Sequence, residues 1–132
     1  MRTRVRVLLT ATGGLAGYSH YNLLKAAATY DSEVVPADIL VHPDHPNYNR
    51  FLGLPVHVVP RGDWGDFADH VLRLAACEGV DLFFLCGSNE VVPLSKAKGV
   101  SRTRGITVAV GDDPELLQVA VDKVSLYDYE YL

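Results

Sequence analysis

Apolar positions along this chain follow two spacings in turn, one of strands and one of helices. Residues 5–10 (VRVLLT) are β-branched and apolar and stop at a glycine cluster, as a central strand of a parallel sheet should. Residues 17–29 then place Tyr21, Leu24 and Ala28 at helical spacing beside Lys25, Ala26 and Ala27, which predicts a helix. Strand character returns over 33–39 (EVVPADI), where Pro36 removes a backbone donor and predicts a bulge or an edge position. Residues 42–54 (HPDHPNYNRFLGL) read as a long loop with one turn of helix, and 56–59 as a short strand.

The second half repeats the pattern. Asp63 is placed to cap a helix whose stripe is Phe67, Val71, Leu74 and Ala75 and whose end is Gly79. Residues 81–86 (DLFFLC) form the most apolar strand, followed by the turn Gly87, Ser88 and Asn89, a short helix over 91–98 and a fifth strand over 106–110. Asp113, Pro114 and Glu115 supply the cap, first-turn proline and first-turn acid of a last helix. Alternating strands and helices predict an α/β fold, a Rossmann-like three-layer sandwich with a mostly parallel sheet of about five strands. Ligands of such sheets bind beyond the carboxyl ends of the strands, where strand order reverses. If the first strand lies beside DLFFLC, the glycine loop after it and the turn after DLFFLC face each other there.

Composition narrows the function. The 132 residues, 48% of them apolar, suffice for one domain with one core. A net charge of -4 without basic clusters argues against nucleic-acid or anionic-membrane partners. Cys77 and Cys86 lack metal-ligand spacing and read as buried reduced thiols of a cytoplasmic protein. Basic residues and then an apolar stretch at the N-terminus resemble a signal peptide superficially, but Arg and Val alternate and Thr10, Thr12, Gly13 and Gly14 break the run. No apolar segment approaches the roughly 20 residues a membrane span requires.

Candidate chemistry lies mainly in TATGGLAG, residues 10–17. Aligned with the dinucleotide fingerprint Gly-x-Gly-x-x-Gly, the chain offers Thr12, Gly14 and Gly17, with Asp38 21 residues beyond Gly17 where a ribose-binding acid would stand. Gly13, Gly14 and Gly17 could equally serve only a tight turn, or an anion site at a helix N-terminus. Ser88, Asn89 and Glu90 face this loop across the predicted cleft. His42, Asp44 and His45 read as a polar loop rather than a metal site, and Trp64 as a staple at a helix entry. Leu117, Ala120, Val121 and Val124 form the stripe of the last helix, and Leu126, Tyr127, Tyr129, Tyr131 and Leu132 lie on several of its sides. That arrangement predicts a covering domain or subunit, or self-association.

VRVLLTATGGLAG, EVVPADI, GVDLFFLCGSNEVVPLSK and ITVAVGDDPELLQVAVDKVSLYDYEYL, in that order, resemble the N-terminal pre-ATP-grasp domain of ATP-grasp ligases. The similarity is to carbamoyl-phosphate synthase-like and biotin carboxylase-like members. It implies that Lys123, in AVDKVSLY, reaches nucleotide phosphates, and that Gly13, Gly14, Gly17, Asp38, Ser88, Asn89 and Glu90 line one wall of a substrate cleft. Asn89 stands where the family has the first of two acids. The resemblance further implies that the chain, as one domain over 1–132, lacks the ATP-grasp domain that holds ATP and Mg²⁺, binds neither tightly alone, and is inactive in isolation. Two other readings stand beside it: a standalone Rossmann-like nucleotide-binding module using the glycine loop and Asp38, and a non-catalytic interaction domain.

Overall fold

A computed structural model describes residues 3–39 and 47–121. The calls on His42, Asp44, His45, Lys123, Val124 and the tyrosine-rich tail fall outside the described residues. Five strands form one sheet in the order β3, β2, β1, β4, β5: β1 (Thr3–Leu9), β2 (Tyr30–Asp38), β3 (His57–Val58), β4 (Leu82–Phe84) and β5 (Thr107–Val108). All four pairings are parallel. The expected three-layer α/β sandwich is therefore the fold, and the direction of strand addition reverses between β1 and β4.

One face of the sheet carries the main core. Leu8, Val35, Ala37, Phe83 and Val108 pack with Phe67, Val71 and Ala75 of α2 (Phe67–Cys77) and with Leu94 of α3 (Val91–Lys96). Burying side chains of this size supplies about 1.5–3 kcal/mol each. Val7, Leu9 and Val34 are also buried but alternate to the opposite face, where the right-handed crossover sets α1 (Leu15–Ala26). Only Gly17 of α1 is buried, and Leu15 and Leu23 are exposed. Helices α4 (Lys98–Thr103) and α5 (Pro114–Val121) complete the order.

Several boundaries differ from expectation for identifiable reasons. β2 begins at Tyr30 because Thr3 and Arg4 pair with Tyr30 and Asp31, so strand pairing extends it back beyond the strand pattern that starts at residue 33. Pro36 causes neither a bulge nor an edge: it pairs in unbroken register with Leu9, and β2 is internal. The carbonyls of Ala37 and Asp38 point to opposite neighbours, accepting from Thr12 and Val59, so alternation turns Pro36 toward β3. That strand begins pairing only at Ala37, and the missing donor costs no ladder bond. Asp63 does not cap α2; its carboxylate holds Arg61 at 3.1 and 3.2 Å. Two turns, Arg61 to Trp64 and Trp64 to Phe67, lead into that helix instead. Trp64 is exposed, so its backbone rather than its ring shapes the entry. Gly79 ends the helix at φ +64°, and Asp113 caps α5 by accepting from Glu115 and Leu116. Cys77 is exposed rather than buried, and Cys86 is half-buried. Among the described residues no helix is long and apolar enough to cross a membrane.

Candidate functional site at the strand-order reversal

The loops leaving β1 and β4 meet at the carboxyl edge of the sheet. Thr10 N–H donates to the Phe84 carbonyl at 3.4 Å, and the Cys86 N–H donates to Thr10 Oγ1 at 3.1 Å. Thr10 in turn donates its hydroxyl to Glu90 Oε1 at 2.7 Å, which also accepts the Gly87 N–H at 2.7 Å. The fully buried Thr10 thus ties both loops together through a carboxylate that is itself only 7% exposed. Burial pushes the Glu90 carboxyl above the usual carboxylate range, against the lowering effect of these hydrogen bonds; the charge of Asp38 adds to the rise. Burial, and then the Glu90 charge, pushes the Cys86 thiol up to about 11, so it is a poor nucleophile. A side chain at Gly87 would meet Glu90 Oε1 at 2.5 Å, which is why glycine stands there.

The three glycines of the first loop have different reasons to be glycine. A Cβ on Gly17 would strike the Ala11 carbonyl, so α1 can lie this close to the loop only without a side chain. A Cβ on Gly13 would collide with Asp38 Oδ2 and come within 2.9 Å of Asn49 Nδ2. Gly14 is different: its Cβ would lie 3.5 Å from the Ala11 carbonyl, an ordinary contact, and its backbone (φ -87°, ψ 165°) suits any residue. It is the N-cap of α1 and offers no side-chain hydrogen bond. The left-handed turn falls at Ala11, φ 53°, one residue before the Thr12 that the fingerprint alignment selects. Thr12 is fully buried and donates to Asn49 Oδ1 at 2.6 Å.

Asp38, the last residue of β2, stands beside this loop. Its Oδ2 accepts from Gly13 N–H at 2.8 Å and Asn49 Nδ2 at 2.9 Å, and its Oδ1 from the Ile39 N–H at 2.7 Å. Asp38, Ala11 and Arg61 line a cavity of about 260 Å³ whose other wall is the turn Gly87 to Glu90. The wall is close because Gly62 packs on the Asn89 backbone, where a Cβ would lie 2.6 Å from the carbonyl carbon. Of the residues singled out from the sequence, Asp38, Ser88, Asn89 and Glu90 share this cavity, and Gly13 touches it through Asp38. Gly14 and Gly17 lie at the start of α1. Asn49, Arg61 and Gly62 carry no local motif, and Thr10, though inside the TATGGLAG stretch, has no role of its own in the fingerprint; all four become visible only through their partners. Among the described residues, no group of three or more His, Cys, Asp or Glu side chains could hold a metal.

No protein-family model and no curated protein matches this chain. Among solved structures it is similar to a dTDP-glucose 4,6-dehydratase from Bacillus anthracis str. Ames in complex with NAD, at 15% identity and a TM-score of 0.47. The match covers 96% of this chain and 51% of the dehydratase, so the chain spans about half that protein's length. The resemblance to a pre-ATP-grasp domain is corrected by this result, since the matched structure is a dehydratase and not an ATP-grasp ligase. The motifs quoted for that resemblance, VRVLLTATGGLAG and GVDLFFLC above all, are β1 and β4 with their turns. Such strand-and-turn patterns are common to Rossmann-like sheets of many functions.

Proposed function

We propose that this chain is a Rossmann-like binding module for a phosphate-bearing nucleoside, with the phosphate at the start of α1 and the nucleoside in the cavity beside Asp38. The observation that carries the reading is Gly14. Internal packing accounts for Gly13 and Gly17 but not for Gly14, whereas close approach of a phosphate to the backbone would require a glycine there. A capping side chain at this position would also compete for the first-turn N–H groups of α1, which favour an anion. The cavity, at about 260 Å³, falls just below the roughly 300–1,000 Å³ of drug-sized sites. It suits a nucleoside or sugar group better than a whole dinucleotide. Asp38 lines this cavity, and its carboxylate would accept a ribose hydroxyl there.

Isothermal titration of the chain with ADP, NAD and a nucleotide sugar tests this reading. At least one should bind saturably with Kd below about 1 mM. Gly14→Val should weaken that binding at least about tenfold and change stability by no more than about 1 kcal/mol. Binding of none of the three, or binding indifferent to the valine, would overturn the proposal.

A further inference from the structure

Asp38 is held by a segment remote from it in sequence. The turn Tyr48–Phe51 lies against the glycine loop: Tyr48 N–H donates to the Gly13 carbonyl at 3.1 Å, and the Tyr48 ring stacks on Tyr18 of α1 at 4.8 Å. Asn47 steadies this turn by accepting from the Asn49 N–H at 3.0 Å. Asn49 sits between two groups with opposite demands. Its Oδ1 accepts from the Thr12 hydroxyl at 2.6 Å, while its Nδ2 donates to Asp38 Oδ2 at 2.9 Å. Asp38 Oδ2 also accepts the Gly13 N–H, so it faces the amide as an acceptor and the amide turns its Nδ2 toward it. An aspartate at 49 would set a second carboxylate against Asp38, and an alanine would serve neither neighbour.

With Oδ2 taken by Gly13 and Asn49, the capacity left on Asp38 is at Oδ1, which among the described residues receives only the Ile39 N–H. We propose that Asn49 is a positioning residue that sets ribose specificity: by fixing Asp38 Oδ2 toward the glycine loop, it leaves Oδ1 to accept the 2′-hydroxyl of a bound nucleotide. The inference rests on the nucleoside-phosphate reading above and goes beyond it, because it makes discrimination between ribose and deoxyribose depend on a residue in a separate turn. A hydroxyl donating to a carboxylate makes a charge-assisted bond, stronger than a neutral one. Without Asn49 the carboxylate keeps, among the described residues, only the two backbone donors, Gly13 and Ile39, and this weaker hold would lower that preference without losing the phosphate contacts.

Titration of ADP and 2′-deoxy-ADP against the native chain, Asn49→Ala and Thr12→Val tests this. The native chain should prefer ADP about tenfold. Asn49→Ala should bring the ratio below about twofold while changing 2′-deoxy-ADP affinity by less than about threefold. Thr12→Val, which frees the other end of the amide, should lower the ratio part of the way, and it decides the matter if Asn49→Ala does not fold. Equal loss of both ligands in the variants would mean a merely structural role and overturn the inference, as would an unchanged ratio or the lack of any preference in the native chain. If the native chain binds neither ligand, this inference falls; the nucleotide reading falls with it only if NAD and the nucleotide sugar also fail to bind.

Discussion

The two faces of the sheet are held by different forces. On the α2 side, Phe67, Val71, Ala75, Phe83 and Leu94 form a continuous apolar cluster. On the α1 side the helix buries only Gly17 and leaves Leu15 and Leu23 exposed. Beside the buried Val7, Leu9 and Val34, polar and aromatic contacts attach the α1 side, through Tyr18 and Tyr48 stacking, the Tyr21 hydroxyl on the Leu52 carbonyl, and the Asn49 bridge. Apolar packing gives a rigid floor, and directional bonds aim the loop that would meet a ligand. Segments with few buried apolar contacts open at lower free energy than the core, so the α1 edge should open more readily than the α2 side.

Substitutions on the two faces should therefore differ in size. Phe67→Ala removes a fully buried ring from the α2 face and should cost about 3–5 kcal/mol in denaturant unfolding; a loss under about 1 kcal/mol would contradict the comparison. Gly17→Ala forces a methyl against the Ala11 carbonyl and should cost about 1–3 kcal/mol, with the tyrosine near-ultraviolet dichroism changing as α1 shifts. Leu23→Ala, on the exposed side of α1, should stay within about 0.5 kcal/mol. A larger cost would show that α1 is covered in solution.

Glu90 sharpens the comparison at the join between the two halves. Its folded pKa is raised, so its protonated form favours the folded state, and that contribution is full below its unfolded pKa and is lost as pH rises through the folded one. Glu90→Gln keeps an acceptor for Thr10 and Gly87 but cannot ionise. Relative to the native chain it should gain stability as pH rises from about 4.5 toward neutrality, measured as thermal midpoints across that range. A difference independent of pH would show that Glu90 titrates alike in the folded and unfolded chain and is not raised by burial.

Legibility followed the range of the interactions. The alternating pattern, the glycines ending β1 and the cap at Asp113 report local backbone preferences, and the elements they predict are present. Asp38 and the turn with Ser88, Asn89 and Glu90 were also readable as edge residues, because strand ends follow from periodicity. Thr10 and Asn49 were not, since a threonine at a strand end and an asparagine in a loop gain meaning only from Glu90, 80 residues away, and Asp38, 11 residues away. The likeness to an ATP-grasp ligase failed for the complementary reason. It was carried by strand and turn patterns that many Rossmann-like chains share, and by Lys123, which lies outside the described residues.

By itself, then, the sequence determined the order and type of elements and the turns between them, because helix and strand periodicity and glycine conformations act over a few residues. Only the tertiary structure decided which strands are neighbours, why internal packing leaves no room for a side chain at Gly13 and Gly17 but leaves it at Gly14, and which carboxylates share a cavity. Those outcomes depend on steric fit and hydrogen-bond partners brought together from distant parts of the chain.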